Sequence, residues 1–460
     1  MRRSTWTLLA LSSALCAAAF APAATRPHYG GTLRVKLRAS VPSLDPVDAD
    51  ALSAGEAAAR ERIWELIADR LVRLDSSGRP QPMLAASWQR DAEGKEWQFR
   101  LRPGVLWQDG SRVDGPAVAA ALQPLLKGVD ISGTNLLVSF HSDRPVPDLL
   151  SILAEPRACV VRRGAASVEG TGPFRLTRWE PGRQATLLAN ENYWAGRPFL
   201  DEIEIDMGRP AREQIADFEL DRADVVELSL ADVRRAAQRG RKLWESPPVE
   251  LLALRFVPGH ARDSRLREAV ALAIDRQPIY NVLLQRQGEV YAALLPQWVS
   301  GYAFSFPAAP DFARARQLAL SVPAAMRTLT MSVDASDPLA RAVADRIAVT
   351  ERDADITLQP IARNGNAALQ LVRLRLASPD PGPAFAALAA ALGLTGTAGS
   401  GIDTQYAAER ALLEAHHVIP LAHLPEVYGL GSRVRNWVTS NWEWRIADVW
   451  LQESGPEARP

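Results

Sequence analysis

WQFRLRPGVLWQDG, residues 97–110, is the stretch that says most about the fold of this 460-residue chain. Apolar and polar side chains alternate from Trp97 to Leu101, which predicts a strand with one buried face. Residues 102–104, Arg-Pro-Gly, predict a turn directly after that strand, and the Asp-Gly pair at 109–110 predicts another. The stretch therefore predicts a strand followed by tight turns, and the segments around it decide the fold class.

Strands and helices are mixed along the whole chain. We expect strands at 31–37, 185–188, 202–205, 224–226, 251–257, 327–333, 355–359, 369–376 and 418–421, and helices at 52–73, 115–126, 215–220, 263–274, 312–321, 337–348, 383–392 and 403–416. In one of these helices Leu266, Val270 and Ile274 lie four residues apart, which places them on one face. The mixture predicts an α/β or mixed α+β protein.

Charge and motifs exclude several classes of function. Lys plus Arg and Asp plus Glu both number 53, so the chain lacks the basic excess of a nucleic-acid-binding protein. The sequence has no G-x-S-x-G, Walker A, G-x-G-x-x-G, C-x-x-C or H-E-x-x-H motif, so we expect neither an enzyme nor a bound cofactor. His416, His417 and His423 form the one histidine cluster, but adjacent residues on a helix face different directions, so we expect no metal site.

The N-terminus predicts export. A basic start, an uncharged apolar run at 6–20 and the Ala-Pro-Ala at 21–23 indicate a signal peptide over residues 1–23 and a periplasmic protein. Leu15 is too large for a lipoprotein signal before Cys16, which disfavours a lipid anchor. Removal of residues 1–23 leaves 51 basic and 53 acidic residues, a net charge of −2. The remaining cysteine, Cys159, can form no internal disulfide and is expected to be buried.

Eight segments between residues 30 and 276 follow the order of the motifs of one known family. They are Gly30–Leu33 with Ser43–Pro46, Leu71–Asp75, Pro82–Trp88, Phe99–Gly110, Gly170–Phe174, Trp179–Gly182, Asn190–Pro198 and Asp263–Arg276. In this order they resemble the family 5 extracellular solute-binding proteins, the peptide, oligopeptide and nickel-binding group that serves ATP-binding-cassette (ABC) importers.

The resemblance implies a two-lobed periplasmic-binding-protein fold with a hinge and an interlobe cleft. Residues 24–260 with 423–460 would form a discontinuous first lobe, including a subdomain near 50–165, and residues 261–422 a reduced second lobe. The implied function is a monomeric periplasmic receptor that captures a small-molecule or peptide ligand and delivers it to ABC permease subunits. Such a protein would meet the membrane only through its partner and would bind no nucleic acid.

The second lobe departs from the family at the ligand. Peptide-binding members carry a W-x-x-D-Y-x-D-P pattern whose first Asp pairs with the peptide amino group. Residues 374–381, LRLASPDP, occupy that place, with Leu374 for the Trp and Ala377 for the Asp. An ammonium group needs a nearby carboxylate, because an unpaired buried charge is costly, so the change argues against an ordinary peptide. Arg375 would favour a carboxylate or phosphate if it faces the cleft, and would otherwise be a solvent-facing strand residue.

Further candidate ligand-binding residues come from the tail and from the family-like segments. Strand alternation places Trp442 and Trp444 on one face, where they would offer apolar contact area and a polar N–H. The remaining candidates are Ser43, Leu44, Trp298, Arg375, Ala377 and Ser378. Core packing is the alternative role for each tryptophan.

Two other functions stay open. Ala377 and the short second lobe are compatible with a degenerate scaffold that acts as a sensor or adaptor for a membrane partner. An exported hydrolase would require a solvent-accessible Ser–His pair within hydrogen-bond distance.

Overall fold

A computed structural model describes residues 27–48, 54–75, 78–163, 168–260, 263–334, 337–362, 366–395, 399, 401–437, 439–440 and 443–452. The expected signal peptide at 1–23 and the candidate Trp442 lie outside these ranges. No helix in the described part of the chain is long and apolar enough to cross a membrane.

The described residues form twenty-two strands and twelve α-helices, together with short 3-10 and π segments. The strands are β1 (Thr32–Lys36), β2 (Val72–Leu74), β3 (Pro80–Pro82), β4 (Ala85–Arg90), β5 (Glu96–Leu101), β6 (Asp130–Thr134), β7 (Leu137–His141), β8 (Arg162–Arg163), β9 (Val168–Glu169), β10 (Phe174–Glu180), β11 (Gln184–Ala189), β12 (Glu202–Asp206), β13 (Val225–Glu227), β14 (Lys242–Phe256), β15 (Thr328–Val333), β16 (Thr357–Ala362), β17 (Leu369–Arg375), β18 (Val418–Leu430), β19 (Val434–Arg435), β20 (Thr439–Ser440), β21 (Glu443–Trp444) and β22 (Trp450–Leu451). The helices are α1 (Ala54–Ile67), α2 (Gly115–Leu122), α3 (Leu149–Leu153), α4 (Ala211–Glu219), α5 (Leu230–Gln238), α6 (Ser264–Ala273), α7 (Arg276–Pro278), α8 (Gln297–Ser300), α9 (Phe312–Leu320), α10 (Pro338–Thr350), α11 (Pro381–Ala391) and α12 (Ile402–Glu414).

One ten-stranded sheet runs through both lobes, in the order β10-β11-β12-β1-β13-β18-β14-β17-β15-β16. In the first lobe β1 pairs in parallel with β12 and β13, and in the second β15 pairs in parallel with β16 and β17. Helices packed on the sheet complete an apolar core in each lobe. This is the mixed α/β, two-lobed architecture that the sequence predicts.

The two long central strands, β14 and β18, are antiparallel neighbours in the middle of the ten-stranded sheet. The predicted segments, 251–257 and 418–421, cover only part of them. The remaining residues of these strands were not predicted, because the sequence has prolines at 247, 248, 420 and 425, and proline lacks the N–H that a sheet ladder uses. The register shifts between Glu245 and Pro248 and again between Pro248 and Glu250, and these irregularities accommodate the prolines within the pair.

A four-stranded antiparallel sheet, β4-β5-β7-β6, forms the subdomain of the first lobe. The strand predicted in the opening stretch is its β5, and Phe99 and Trp107 are buried in its core. Gly133 is required where β6 crosses the start of α2, since a Cβ there would lie 2.0 Å from the carbonyl carbon of Gly115. Trp107 is a buried scaffold residue of this subdomain.

Helix α1 is shorter than the predicted helix at 52–73, and the family-like Gly-Thr-Gly segment explains where it ends. The N–H of Gly172 donates to the Ile67 carbonyl at 3.0 Å, and the Gln108 amide donates to the same oxygen at 2.8 Å. A Cβ at Gly170 would lie 2.1 Å from that carbonyl. The glycines therefore let a neighbouring chain satisfy the free carbonyl at the end of α1.

Candidate functional site

A small pocket lies where the two lobes face each other. Its lining residues come from both lobes: Leu74, Ser151, Ala154, Pro156, Ala377, Ser378, Pro379 and Glu443. The enclosed space is about 20 Å³, which is room for about one water molecule. Two of the predicted site residues, Ala377 and Ser378, are thus brought into one interlobe pocket.

The second-lobe side of the pocket is the turn between β17 and α11. Asp380 is the N-cap of α11, and its carboxylate accepts from the N–H of Gly382. Ser378 supports the turn, because its hydroxyl oxygen accepts from the N–H of Asp380 at 3.1 Å. Across the pocket, the hydroxyl of Ser151 in α3 donates to Asp380 at 2.9 Å. This hydrogen bond joins the two lobes directly.

Charged side chains form a network beside this pocket, which we call the interlobe network: Glu61, Arg62, Glu65, Arg375 and Glu426. Arg375, at the end of β17, contacts Glu61 of α1 and donates to Glu426 of β18 at 2.6 Å. Arg62 contacts the same Glu426 and lies 3.2 Å from Glu65. The network therefore connects α1 of the first lobe, a crossing strand and the edge of the second lobe.

Burial and charge act in opposite directions on these carboxyl groups. Burial alone would raise the pKa of Glu426, but Arg375 and Arg62 outweigh it and lower that pKa to about 2. Burial raises the pKa of Glu61 and of Glu65, and their arginine partners only partly oppose it. The two arginines therefore stabilise the carboxylate of Glu426 more strongly than those of Glu61 and Glu65.

Arg375 is a buried residue beside the pocket. Its side chain is only 6% exposed, so the alternative of a solvent-facing strand residue is wrong. It does pair with carboxylates, as its chemistry predicts, but these belong to Glu61 and Glu426 of the protein itself. The partners are remote in sequence, which is why the local pattern did not identify them.

The tail contributes to the same region. Glu443 lines the pocket and accepts from Arg70 at 2.6 Å, while the N–H of Trp444 donates to Glu65 at 2.8 Å. The Trp444 ring is 3% exposed and packs edge-on against Tyr428 and Trp437. Trp444 is thus a core residue of the first lobe whose backbone touches the interlobe network.

The other predicted site residues lie away from the pocket. The buried Leu44 accepts at its carbonyl from the indole N–H of Trp64 at 2.8 Å, and Ser43 contacts Asp48, so both organise the loop before α1. Trp298 is 38% exposed, and its N–H donates to the Pro248 carbonyl of β14 at 2.8 Å. The structure therefore gathers Ala377 and Ser378 at the pocket, with Arg375 and Trp444 beside it.

Sequence reasoning missed Asp69, which ties the family-like segments together. Its carboxylate accepts from Thr171 at 2.9 Å, Tyr193 at 3.0 Å and Trp194 at 2.8 Å. Burial raises its pKa to about 6, and these hydrogen bonds limit the rise. The available signal was the charged pair Asp69-Arg70 within the otherwise apolar segment 66–72. Glu61, Arg62 and Glu65 among the apolar residues of α1 were a similar signal.

Cys159 and His423 are both buried in the protein interior. Cys159 is buried, as predicted, and burial raises its pKa to about 12. His423 is buried on β18 with its Nε2 3.1 Å from the Leu294 carbonyl, and burial lowers its pKa to about 4. Among the residues that the structure describes, no group of three or more His, Cys, Asp or Glu side chains is placed to hold a metal ion.

Comparison with known proteins adds a family and a set of similar folds. The sequence model of bacterial extracellular solute-binding proteins, family 5 Middle, matches residues 79–359. The chain is 26% identical over 253 residues to the "Probable D,D-dipeptide-binding periplasmic protein DdpA" of Escherichia coli K12, covering 48% of each chain. It is 24% identical over 249 residues to the nickel-binding periplasmic protein of the same organism, covering 46% of this chain and 47% of the relative. The chain thus spans about half the length of these curated relatives.

Solved structures resemble this fold over nearly the whole chain. A dipeptide-binding protein from Pseudoalteromonas in complex with Met-Leu superposes with a TM-score of 0.80 at 16% identity, covering 92% of this chain and 100% of the other. NikA from Staphylococcus aureus in complex with Ni(L-His)2 gives 0.79 at 14% identity, with the same coverage. At these identities the likeness establishes the fold.

Proposed function

Because this chain belongs to the family 5 extracellular solute-binding proteins, we propose that it is a periplasmic receptor that captures a small organic solute between its lobes and delivers it to an ABC importer. The observation that carries the proposal is the pocket whose lining comes from both lobes, with Ser151 and Asp380 bonded across it. A ligand held there would be enclosed by closing the lobes, so its affinity would include the closure equilibrium.

The proposed division of the chain follows the crossing strands. Residues 24–260 with 423–460 form the first lobe and residues 261–422 the second, with β14 and β18 as the connection. Members of the family are binding proteins, and we propose the same for this chain, without catalysis. A signal peptide at 1–23, a periplasmic location, a monomeric state and ABC permease subunits as partners belong to the same proposal.

The pocket indicates a ligand other than an ordinary peptide. Ala377 offers no carboxylate for an amino group, and the carboxylate that does line the pocket, Glu443, comes from the tail and already accepts from Arg70. Hydroxyl groups of Ser151 and Ser378 are the other polar groups of the lining. We therefore expect a small, mostly neutral solute that is bound through hydroxyl contacts and shape.

A sensor or adaptor role is the second candidate. Two observations favour it. The space between the lobes is small, and the region beside the pocket is occupied by the protein's own charged side chains, those of the interlobe network. In that role the closed form would itself be the signal that a membrane partner recognises. Binding of the membrane partner with no solute present would distinguish it from the receptor.

The test is a thermal-shift screen with peptides, sugars, organic acids and nickel–histidine complexes. A ligand at 100 times its dissociation constant adds about 2.7 kcal/mol to the free energy of unfolding, which raises the melting temperature measurably. In Ala377→Trp the new indole is larger than the pocket and blocks the space where a ligand would bind, so the shift should disappear. The matched control is Ala86→Trp, at an exposed position on β4, which should keep it.

Two results would contradict the proposal. One is an equal shift in Ala377→Trp and Ala86→Trp, which would place the ligand outside the pocket. The other is the absence of a shift with every class of solute while the purified protein turns over a substrate.

A further inference from the structure

We propose that Arg375 and Glu61 form a clasp that holds the two lobes closed in the absence of ligand. The pair joins the end of β17, in the second lobe, to the middle of α1, in the first lobe. It is a contact between lobes made by the protein itself, beside the pocket in which a ligand would bind. The inference concerns the lobe equilibrium of the free protein and goes beyond the proposed receptor function.

The clasp is sheltered from solvent. The side chains of Arg375 and Glu61 are 6% and 23% exposed, and the guanidinium also donates to Glu426, which is 10% exposed. Charge-assisted hydrogen bonds are stronger than neutral ones, and burial protects them from screening by salt. Opening the lobes would separate Arg375 from Glu61 and expose both ends of the pair.

Glu426 gives the clasp a fixed anchor on the hinge. It lies on β18, and its backbone N–H donates to the hydroxyl of Ser246 on β14 at 2.9 Å, so the two crossing strands hold it. Arg62 of α1 contacts the same carboxylate from the first lobe. Glu426 on β18 therefore holds the guanidinium of Arg375 in the orientation in which it contacts Glu61.

A second contact acts on the other side of the pocket. Ser151 donates to Asp380 at 2.9 Å, and both residues belong to segments that line or border the pocket. A hinge motion that opens the pocket must break this hydrogen bond and the Arg375–Glu61 pair together. The two contacts thus act in the same direction on the closure equilibrium.

Arg373, two residues away on the same strand, shows what distinguishes the clasp. It also has two carboxylate partners. Asp337 is the N-cap of α10 in the same lobe, and Glu250 lies on the part of the connecting strand β14 that is paired directly with β17 and must move with it. The ion pairs of Arg373 do not bridge the pocket, so they need not break when the lobes separate. Glu250→Gln therefore matches Glu61→Gln in chemistry and leaves the lobe contact intact.

The experiment measures the distance between lobes by double electron–electron resonance in the ligand-free protein. Spin labels are attached at Lys127→Cys and Arg346→Cys, two exposed positions on different lobes. Removal of the proposed signal peptide takes away Cys16, and the remaining native thiol, Cys159, is buried. We expect one narrow distance population in the parent and in Glu250→Gln, and a second, longer population in Glu61→Gln, with the open form enriched about tenfold.

Glu61→Gln is chosen because Arg375 keeps Glu426 as a partner, so the substitution should leave the fold intact; a cooperative melting transition checks this. A broad, open distribution in the parent, or equal distributions in Glu61→Gln and Glu250→Gln, would overturn the clasp. The receptor proposal has a separate readout. If the measured distances show a closed protein and no solute changes its melting temperature, the clasp proposal stands and the receptor proposal fails.

Discussion

Glu426 on β18 and Glu351, directly after α10, are both buried carboxyl groups, yet their surroundings drive their pKa values in opposite directions. Glu426 contacts two arginines, which lower its pKa to about 2. Glu351 is fully buried, neither of its carboxyl oxygens has a hydrogen-bond partner among the described residues, and burial raises its pKa well above the usual range. Partners, rather than burial, thus decide whether a buried acid supports the fold.

Asp69 stands between these two extremes. Its partners are mainly the neutral donors Thr171, Tyr193 and Trp194, and its pKa is raised to about 6. Neutral donors stabilise a carboxylate less than cations do, so they offset only part of the cost of burial. The three acids form a series from charged partners, through neutral partners, to none, and each can be tested by one substitution.

The largest effect is expected for Glu426→Gln. Removing this charge leaves Arg62 and Arg375 buried with too few carboxylates, which should lower the free energy of unfolding by about 3 to 5 kcal/mol. Urea denaturation at pH 7 measures the loss. The control Glu96→Gln removes an acid that is 60% exposed and should change stability by less than about 0.5 kcal/mol.

The pH dependence of the Glu426 effect has a defined sign. The folded pKa lies below the usual value, so this stabilisation is present above about pH 4.5 and is lost as the pH falls towards 2. The difference between the parent and Glu426→Gln should therefore narrow between pH 5 and pH 3. A constant difference over that range would mean that the charge of Glu426 is not what stabilises the fold.

A smaller effect of the opposite sign is expected for Glu351→Met. Methionine fills a similar volume without an unsatisfied polar group, so the free energy of unfolding at pH 8 should rise by about 2 kcal/mol. Because the folded pKa is raised, the parent loses stability as the pH rises from about 4.5, whereas the variant should not. A destabilised Glu351→Met with normal cooperativity would indicate that Glu351 has a partner and would break the comparison.

The smallest effect is expected for Asp69→Asn. Its raised folded pKa makes the parent less stable as the pH increases from about 4 through 6, and an amide does not titrate. The decrease in unfolding free energy between pH 5.5 and pH 7.5 should therefore shrink by about 1 kcal/mol. Asp130→Asn, at an exposed strand position, should leave the parent profile unchanged.

Elements with a regular apolar period were predicted well. The strand at 97–101 corresponds to β5, and the helices at 263–274 and 312–321 correspond to α6 and α9 within one or two residues. The long strands β14 and β18 were predicted only in part, because their prolines are tolerated at irregularities of the ladder that no local pattern reveals. Helix α1 was predicted too long, because the groups that satisfy its end, Gln108 and Gly172, lie 41 and about a hundred residues away along the chain.

The candidate site was predicted less completely than the fold. Ala377 and Ser378 do line the interlobe pocket, whereas Ser43, Leu44 and Trp298 lie elsewhere. The contact of Arg375 with Glu61 of α1 was not predicted. The two positions are 314 residues apart, and neither local sequence pattern indicates the other.

The sequence by itself determined the class of the fold, the family and the substitution of Ala377 for an acidic residue, because these depend on local periodicity and on ordered short motifs. Only the tertiary structure decided which charges are buried together. The free energy of a buried charge depends on the distance to its partners, and those distances are set by how the lobes and crossing strands pack. Arg375 shows the difference. Its guanidinium group predicts a carboxylate or phosphate partner from the sequence alone, and the tertiary structure identifies the partners as Glu61 and Glu426.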